Sequence, residues 1–160
     1  MDARQAIRTQ LELSQFVCLG YLEDLSDGDL LLRPHPGANH INWQVGHLVG
    51  SEHNHIGRFA PGQMPQLPDR LPELYSREAV QVDDPALLLP KAVLLDAFRQ
   101  QRAATLRLLE AASDADLDIP TGVPYAPTRG AMFAMQGSHW LMHSGQWVIV
   151  RRMLGKGAMF

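Results

Sequence analysis

His139 and His143 stand four residues apart in Ser138-His-Trp-Leu-Met-His-Ser-Gly-Gln146, a segment whose pattern is helical. Side chains at i and i+4 of a helix project from one face, so the two imidazoles form a two-point clamp for a transition metal. The segment holds no Asp or Glu, and a third protein ligand must therefore come from elsewhere in the chain. His47, in Asn42-Trp-Gln-Val-Gly-His47, is the best-placed candidate. Three neutral imidazoles suit Zn, Ni, Fe or Cu and disfavour Mg or Ca. They also leave at least one coordination position open, which is the catalytic pattern rather than the closed structural one. On pattern alone a second reading stands beside this one: an i, i+4 histidine pair can be a pair of core residues satisfied by internal hydrogen bonds.

The spacing of neighbouring residues says how the histidines are presented. Met132, Gln136, His139, His143, Gln146 and Val150 form one stripe that faces inward. On the segment carrying His47, the residues Trp43, His47, Gly50 and Asn54 share a face, and His47 lies at the margin of the more apolar neighbouring one. Gln146, Gln136 and Asn54 are the amides placed to fix imidazole tautomers. Gly46 and Gly50 bracket His47, as Gly137 and Gly145 bracket the other pair. A mid-helix glycine costs ~1 kcal/mol relative to alanine, so their recurrence implies close approach of a neighbouring element. Glu52 and His55 make an E-x-x-H, but di-iron carboxylate proteins need a second such motif and further inward carboxylates, which the last helical segment lacks. The glutamate beside the first histidine of a zinc protease helix is also missing. His35, His40 and His53 read as solvated loop or surface residues, and Trp43, Trp140 and Trp147 as packing.

Four helical segments must position these groups. They run from about Asp2 to Asp24, from Asn39 to Phe59, from Pro90 to Ser113 and from Thr128 to Leu154. Asparagines before the second, Pro90 before the third and Thr128 before the fourth are good starting residues. No segment alternates well enough to be a strand. The expectation is an all-α four-helix bundle in a single domain spanning residues 1–160. Residues 60–86 form a long Pro-rich connection of the kind that serves as a lid or is poorly ordered. It permits the second and third helices to run parallel. Residues 119–127, with three prolines, read as a stiff loop roofing one end.

Composition sets the outer bounds. Hydrophobic residues make up 46% and charged residues 19% of the chain, an ordinary globular balance. The net charge is −3, with no recognition motif, which argues against nucleic acid as a partner. Residues 119–160 carry four bases and no acid, whereas the first 118 carry ten bases against seventeen acids. Arg151, Arg152 and Lys156 fall where the last helix ends, and there cations suit the dipole and cap the last carbonyls. No apolar run reaches membrane-spanning length, and no signal-peptide profile opens the chain. Cys18 alone forms no internal disulfide and reads as a small core residue, so the cytoplasm is the expected compartment.

Arg33-Pro-His-Pro-Gly-Ala-Asn-His-Ile-Asn-Trp43-Gln-Val-Gly-His47 resembles the second-helix signature of the DinB/YfiT-like superfamily, in which a Pro-Gly-Asn connector leads into Trp-x-x-x-His. The run from Leu88 to Glu110 is similar to its third helix, and His139-x-x-x-His143-x-x-Gln146 to its fourth. The resemblance spans nearly the whole chain in the right order. It implies an up-down-down-up four-helix bundle, often a homodimer, with a divalent metal held by His47, His139 and His143. It further implies a small-molecule substrate and a reaction on a low-molecular-weight thiol: relatives include thiol transferases and a thiol-dependent isomerase, while others have no known activity. A metal-dependent S-transferase, or a hydrolase working on bound water, is the leading expectation. Glu52 and Asn54 are then the candidates for general base by proximity in sequence. The alternative is a non-catalytic, stress-associated protein with a structural metal.

Overall fold

The computed structural model describes residues 1–157 and 159. In chain order the elements are α1 (Ala3–Glu23), a 3₁₀ turn (Asp29–Leu31), α2 (Ile41–Gly57), α3 (Leu71–Leu74), α4 (Lys91–Ala111), α5 (Asp114–Leu117), β1 (Pro120–Val123), β2 (Ala126–Thr128) and α6 (Arg129–Met153). The fold is mostly helical with one small two-stranded sheet. The four long helices start and stop close to where their caps and periodicity place them. Asp2 caps α1 in a reciprocal box with Gln5, and Thr128 caps α6 through the amide of Ala131. At α2 the cap is His40 rather than an asparagine: its Nδ1 accepts from the amide of Trp43 at 3.0 Å. His40 is fully buried, its Nε2 3.6 Å from Asp83 and 2.9 Å from the Val82 carbonyl, which corrects its reading as a solvated residue.

Contacts between helices fix their directions. Asn42 bonds the Leu89 carbonyl just ahead of α4, and Glu52 meets Arg102 halfway along, so α2 and α4 run parallel. Gln10 meets Ser138 and Tyr21 meets Arg151, so α1 and α6 also run parallel. Lys91 reaches the carbonyls of Glu23 and Leu25 while Arg4 reaches Ala112, which sets α1 antiparallel to α4. Trp140, Trp147, Phe98, Ile41 and Leu48 share one core cluster, with Phe98 stacked on Trp140 at 3.9 Å between ring centroids. Cys18 is in the same cluster, where burial pushes its thiol up to about 12. A second cluster around Leu11, Ile56, Leu109 and Phe133 fills the other end.

A charged knot crosses the interior. Arg102 donates to Glu52 from Nε (2.8 Å) and Nη2 (3.0 Å), and from Nη1 to the Leu11 carbonyl and the Ser14 hydroxyl. Trp140 Nε1 donates to the same carboxylate at 3.1 Å. Both charged groups are fully buried, and their lone pairs and protons are satisfied, which is what a buried ion pair requires. Near the end of α6, Arg151 and Lys156 bind the Tyr21 and Asp24 carbonyls and the Asp24 carboxylate, and hold it down to about 2. They therefore fasten the end of α1 rather than only capping their own helix.

The two connections differ most from expectation. Residues 120–128 form an antiparallel hairpin with Val123 opposite Ala126, where a loop was expected. Gly122 takes φ +73°, a conformation glycine adopts freely, and Thr121 Oγ1 donates to the Ala126 carbonyl. Residues 60–90 are neither helix-rich nor loose: they form a strap held down at its backbone. Trp43 donates to the Ser76 carbonyl, Asn42 to that of Leu89, Gln101 to that of Pro65 and Arg33 to that of Val80. The Tyr75 ring lies so close over Gly46 that a Cβ there would overlap it, and its hydroxyl bonds Asn42 and the Leu89 amide.

Candidate metal centre

Helix α2 presents His47 and antiparallel α6 presents His139 and His143. One ligand atom from each lies within 4.8 Å of the other two. The rings converge rather than stack: His139 and His143 are 5.0 Å apart between centroids and tilted 60°, and His47 stands 5.6 Å from His139 at 89°. Trp43, one turn before His47, lies flat against it at 4.9 Å and 6°, and this fixes the ring plane. All three histidines are half-buried.

Hydrogen bonds decide which nitrogen of His143 faces the cluster. Gln44 donates through Nε2 to the Asn39 carbonyl at 2.7 Å, so its Oε1 points the other way. That oxygen accepts from Trp147 Nε1 at 2.9 Å and sits 3.0 Å from His143 Nδ1. An amide oxygen only accepts, so Nδ1 carries the proton and Nε2 offers its lone pair. His139 Nδ1 faces the Ser51 hydroxyl at 3.5 Å, a looser version of the same arrangement. Burial holds His139 and His143 down to about 4, with His143, His47 and His55 adding to it at His139 and His47 adding to it at His143. Burial and then the charge of Arg77 lower His47. At neutral pH the three are therefore uncharged donors with free lone pairs, and this set fits a divalent transition metal.

The amides singled out from the sequence stand elsewhere. Gln146 is exposed and meets Gln44, one step from His143. Gln136 is buried and donates to the Met132 carbonyl, with His55 as its histidine neighbour. Asn54 is exposed on the cleft wall with no imidazole of the triad as partner. Glu52 is locked to Arg102 on another face of α2 and does not line the cleft, so its proximity in sequence gives it no access to the site. Of the four bracketing glycines, Gly46 and Gly137 are the ones with close neighbours, Tyr75 and the Gln10 backbone.

An open cleft of about 920 Å³ leads to His47 and His139. Its wall on α2 is one continuous face, His47, Gly50, Ser51, Asn54, His55 and Arg58, at offsets of three and four. Opposite stand Leu71, Tyr75 and Arg77 from the strap, Tyr125 from the hairpin turn and Met142 from α6. His55 bridges the two walls: its Nδ1 is 3.2 Å from Ser51 Oγ and its Nε2 3.4 Å from the Tyr125 hydroxyl. Ser51 and Gln44 went unread in the sequence and His55 was weighed only as part of an E-x-x-H with Glu52, although all three fall at helical spacing from His47.

Comparison with known proteins speaks to the fold and the family. Among curated proteins none matches. A conserved protein from Enterococcus faecalis, known from its crystal structure, superposes over 98% of this chain and 99% of its own with a TM-score of 0.73 at 20% identity. At that identity the likeness speaks for the fold. A family model described as the DinB superfamily matches residues 10–147, most of the chain and all three histidines, and the protein belongs to that superfamily.

Proposed function

We propose that the protein is a divalent-metal-dependent enzyme in which His47, His139 and His143 hold Zn, Ni or Fe at the floor of the cleft. A low-molecular-weight thiol or a water would be activated there for attack on a small-molecule electrophile. The observation that carries this reading is the convergence of three neutral imidazoles at the end of an open cleft rather than in a sealed core. When bound, the metal would supply Lewis acidity at its open positions, favouring a thiolate or lowering the pKa of water toward about 7.

The chain's own residues supply the rest. Gln44 holds the His143 tautomer, and Trp43 holds the His47 ring plane. A proton released at the cleft floor has a path through the Ser51 hydroxyl to His55 Nδ1, with Tyr125 holding the far side of that ring. Leu71, Tyr75 and Met142 give the cleft an apolar side that limits water around the reacting atoms.

We read the four long helices as an up-down-down-up bundle, consistent with the parallel pairs α1/α6 and α2/α4. Leu13, Ile149 and Met153 remain exposed on α1 and α6 and support pairing as a homodimer. No helix among the described residues is long and apolar enough to cross a membrane. The cytoplasm remains our proposed compartment on the strength of the lone cysteine.

Elemental mass spectrometry of tag-free protein beside its His143→Ala variant tests the reading. Near-stoichiometric metal in the wild type, lost in a variant that stays helical, supports it; equal metal in both overturns it. A non-catalytic protein with a structural metal makes a different prediction: chelation would then unfold the chain, whereas a catalytic site on an already packed core survives chelation folded.

A further inference from the structure

The charge of the cleft narrows its substrate class. Arg58 and Arg77 are its charged side chains at neutral pH, and no carboxylate lines it. Neither guanidinium forms an ion pair or a hydrogen bond among the described residues, in contrast to those of Arg102 and Arg151, which are fully engaged. The one acid of α2, Glu52, is turned away and neutralised by Arg102. The smaller cavity beyond His55 continues the pattern: it shares Arg58, adds Arg129 over the Phe59 ring at 5.3 Å, and is also free of carboxylates. In a chain with an excess of acids, a lining that carries guanidinium and no carboxylate is a local inversion of sign, with Glu78 acting on Arg77 and Asp116 on Arg129 from outside it.

Their placement brackets the triad. Arg77 follows Ser76, whose carbonyl holds the Trp43 indole, so it belongs to the His47 end of the cleft. Arg58 caps the far end of α2, eleven residues from His47, which is roughly 16 Å of helix. Arg77 acts at the floor and Arg58 on the wall beside it. Burial does most to lower His47 and Arg77 adds to it, and Arg58 likewise adds to the lowering of His55. A guanidinium stays charged at any physiological pH and matches a carboxylate through two parallel hydrogen bonds.

We infer that the cleft selects an anionic small molecule, a carboxylate-bearing thiol or electrophile whose charge is held by Arg58 or Arg77 while its reactive atom lies at the histidine triad. This deepens the proposed function and names the substrate class of the same site.

Calorimetric titration of the tag-free protein with two matched pairs of probes tests it. The pairs are 3-mercaptopropionate with 3-mercaptopropionamide, and glutarate with glutaramide, each on the protein as isolated and after chelation. The anionic member should bind about tenfold tighter than its neutral partner, the scale of one charge-assisted hydrogen bond. R58Q or R77Q should remove most of that preference and leave the neutral probes unchanged, while R99Q, on the exposed surface of α4, should change nothing. Preference in the thiol pair alone assigns the charge to the thiol; preference in both pairs assigns it to carboxylates generally. Equal binding within both pairs, no binding of either anion, or full preference retained in both glutamine variants overturns the inference. The glutarate arm on chelated protein answers independently of metal, so loss of the metal reading and loss of the charge reading are separately visible.

Discussion

Gln44 Oε1 faces His143 Nδ1 at 3.0 Å, and this bond commits the imidazole to offering Nε2 toward the other two histidines. Because the same oxygen accepts from Trp147 and the amide nitrogen is tied to Asn39, the orienting group cannot turn over. Removing it should loosen the ligand without removing it. Gln44→Leu is expected to weaken metal affinity by roughly 10- to 100-fold, the range for partners of a metal-bound histidine, while Gln44→Glu retains it. Competition against a chelator of known affinity reads the difference; an unchanged affinity in Gln44→Leu would show the orientation to be unimportant.

The Glu52–Arg102 pair is predicted to matter for stability and not for metal. Arg102→Met strands a carboxylate that has no exposure, an arrangement that costs about 3–5 kcal/mol. Urea denaturation should show that loss, and Glu52→Gln added to Arg102→Met should recover part of it by discharging the orphan. Metal stoichiometry should be unchanged in both. Loss of metal in Arg102→Met under conditions where the protein is folded would mean the knot and the triad are coupled.

The metal-free protein should be acid-sensitive in a defined window. His139 and His143 titrate near 4 when folded, against an ordinary value of 6.5, because burial disfavours their charged forms. Between those values the unfolded chain binds more protons than the folded one, so stability falls as pH drops from 6.5 toward about 4 and is fully present above 6.5. Urea midpoints of chelated protein across this range should decline with acid, and more shallowly in His139→Gln. A flat profile would mean the two rings are hydrated in solution.

Much of this arrangement was legible before any coordinates. The long helices follow from periodicity and from caps such as Thr128, and the triad from histidine spacing together with the family signature. Other parts leave little trace in sequence. The hairpin is hidden because Pro120, Pro124 and Pro127 depress strand character and its strands are three and four residues long. His40 read as solvated because a buried histidine cap resembles a loop residue until its partners on the strap are known. Gln44 escaped because a polar residue in an apolar face carries no period of its own, and its role depends on a helix about a hundred positions away. Ser51, His55 and Arg58 lay in plain sight at helical offsets from His47, and weighting that face for chemistry rather than apolarity would have found them.

The strap has a further consequence for how such a protein can diversify. Its fastenings to α2, to α4 and to the connector ahead of α2 run mostly to its main-chain carbonyls, at Pro65, Ser76, Val80, Val82 and Leu89. A carbonyl is supplied by any residue type, so side chains such as Pro72 and Arg77, which the strap turns toward the cleft, are released from holding it in place. Substitutions there can change which molecule is admitted while the scaffold and the histidines stay fixed. Inheritance of the histidine cluster is thereby separated from inheritance of the cleft's selectivity.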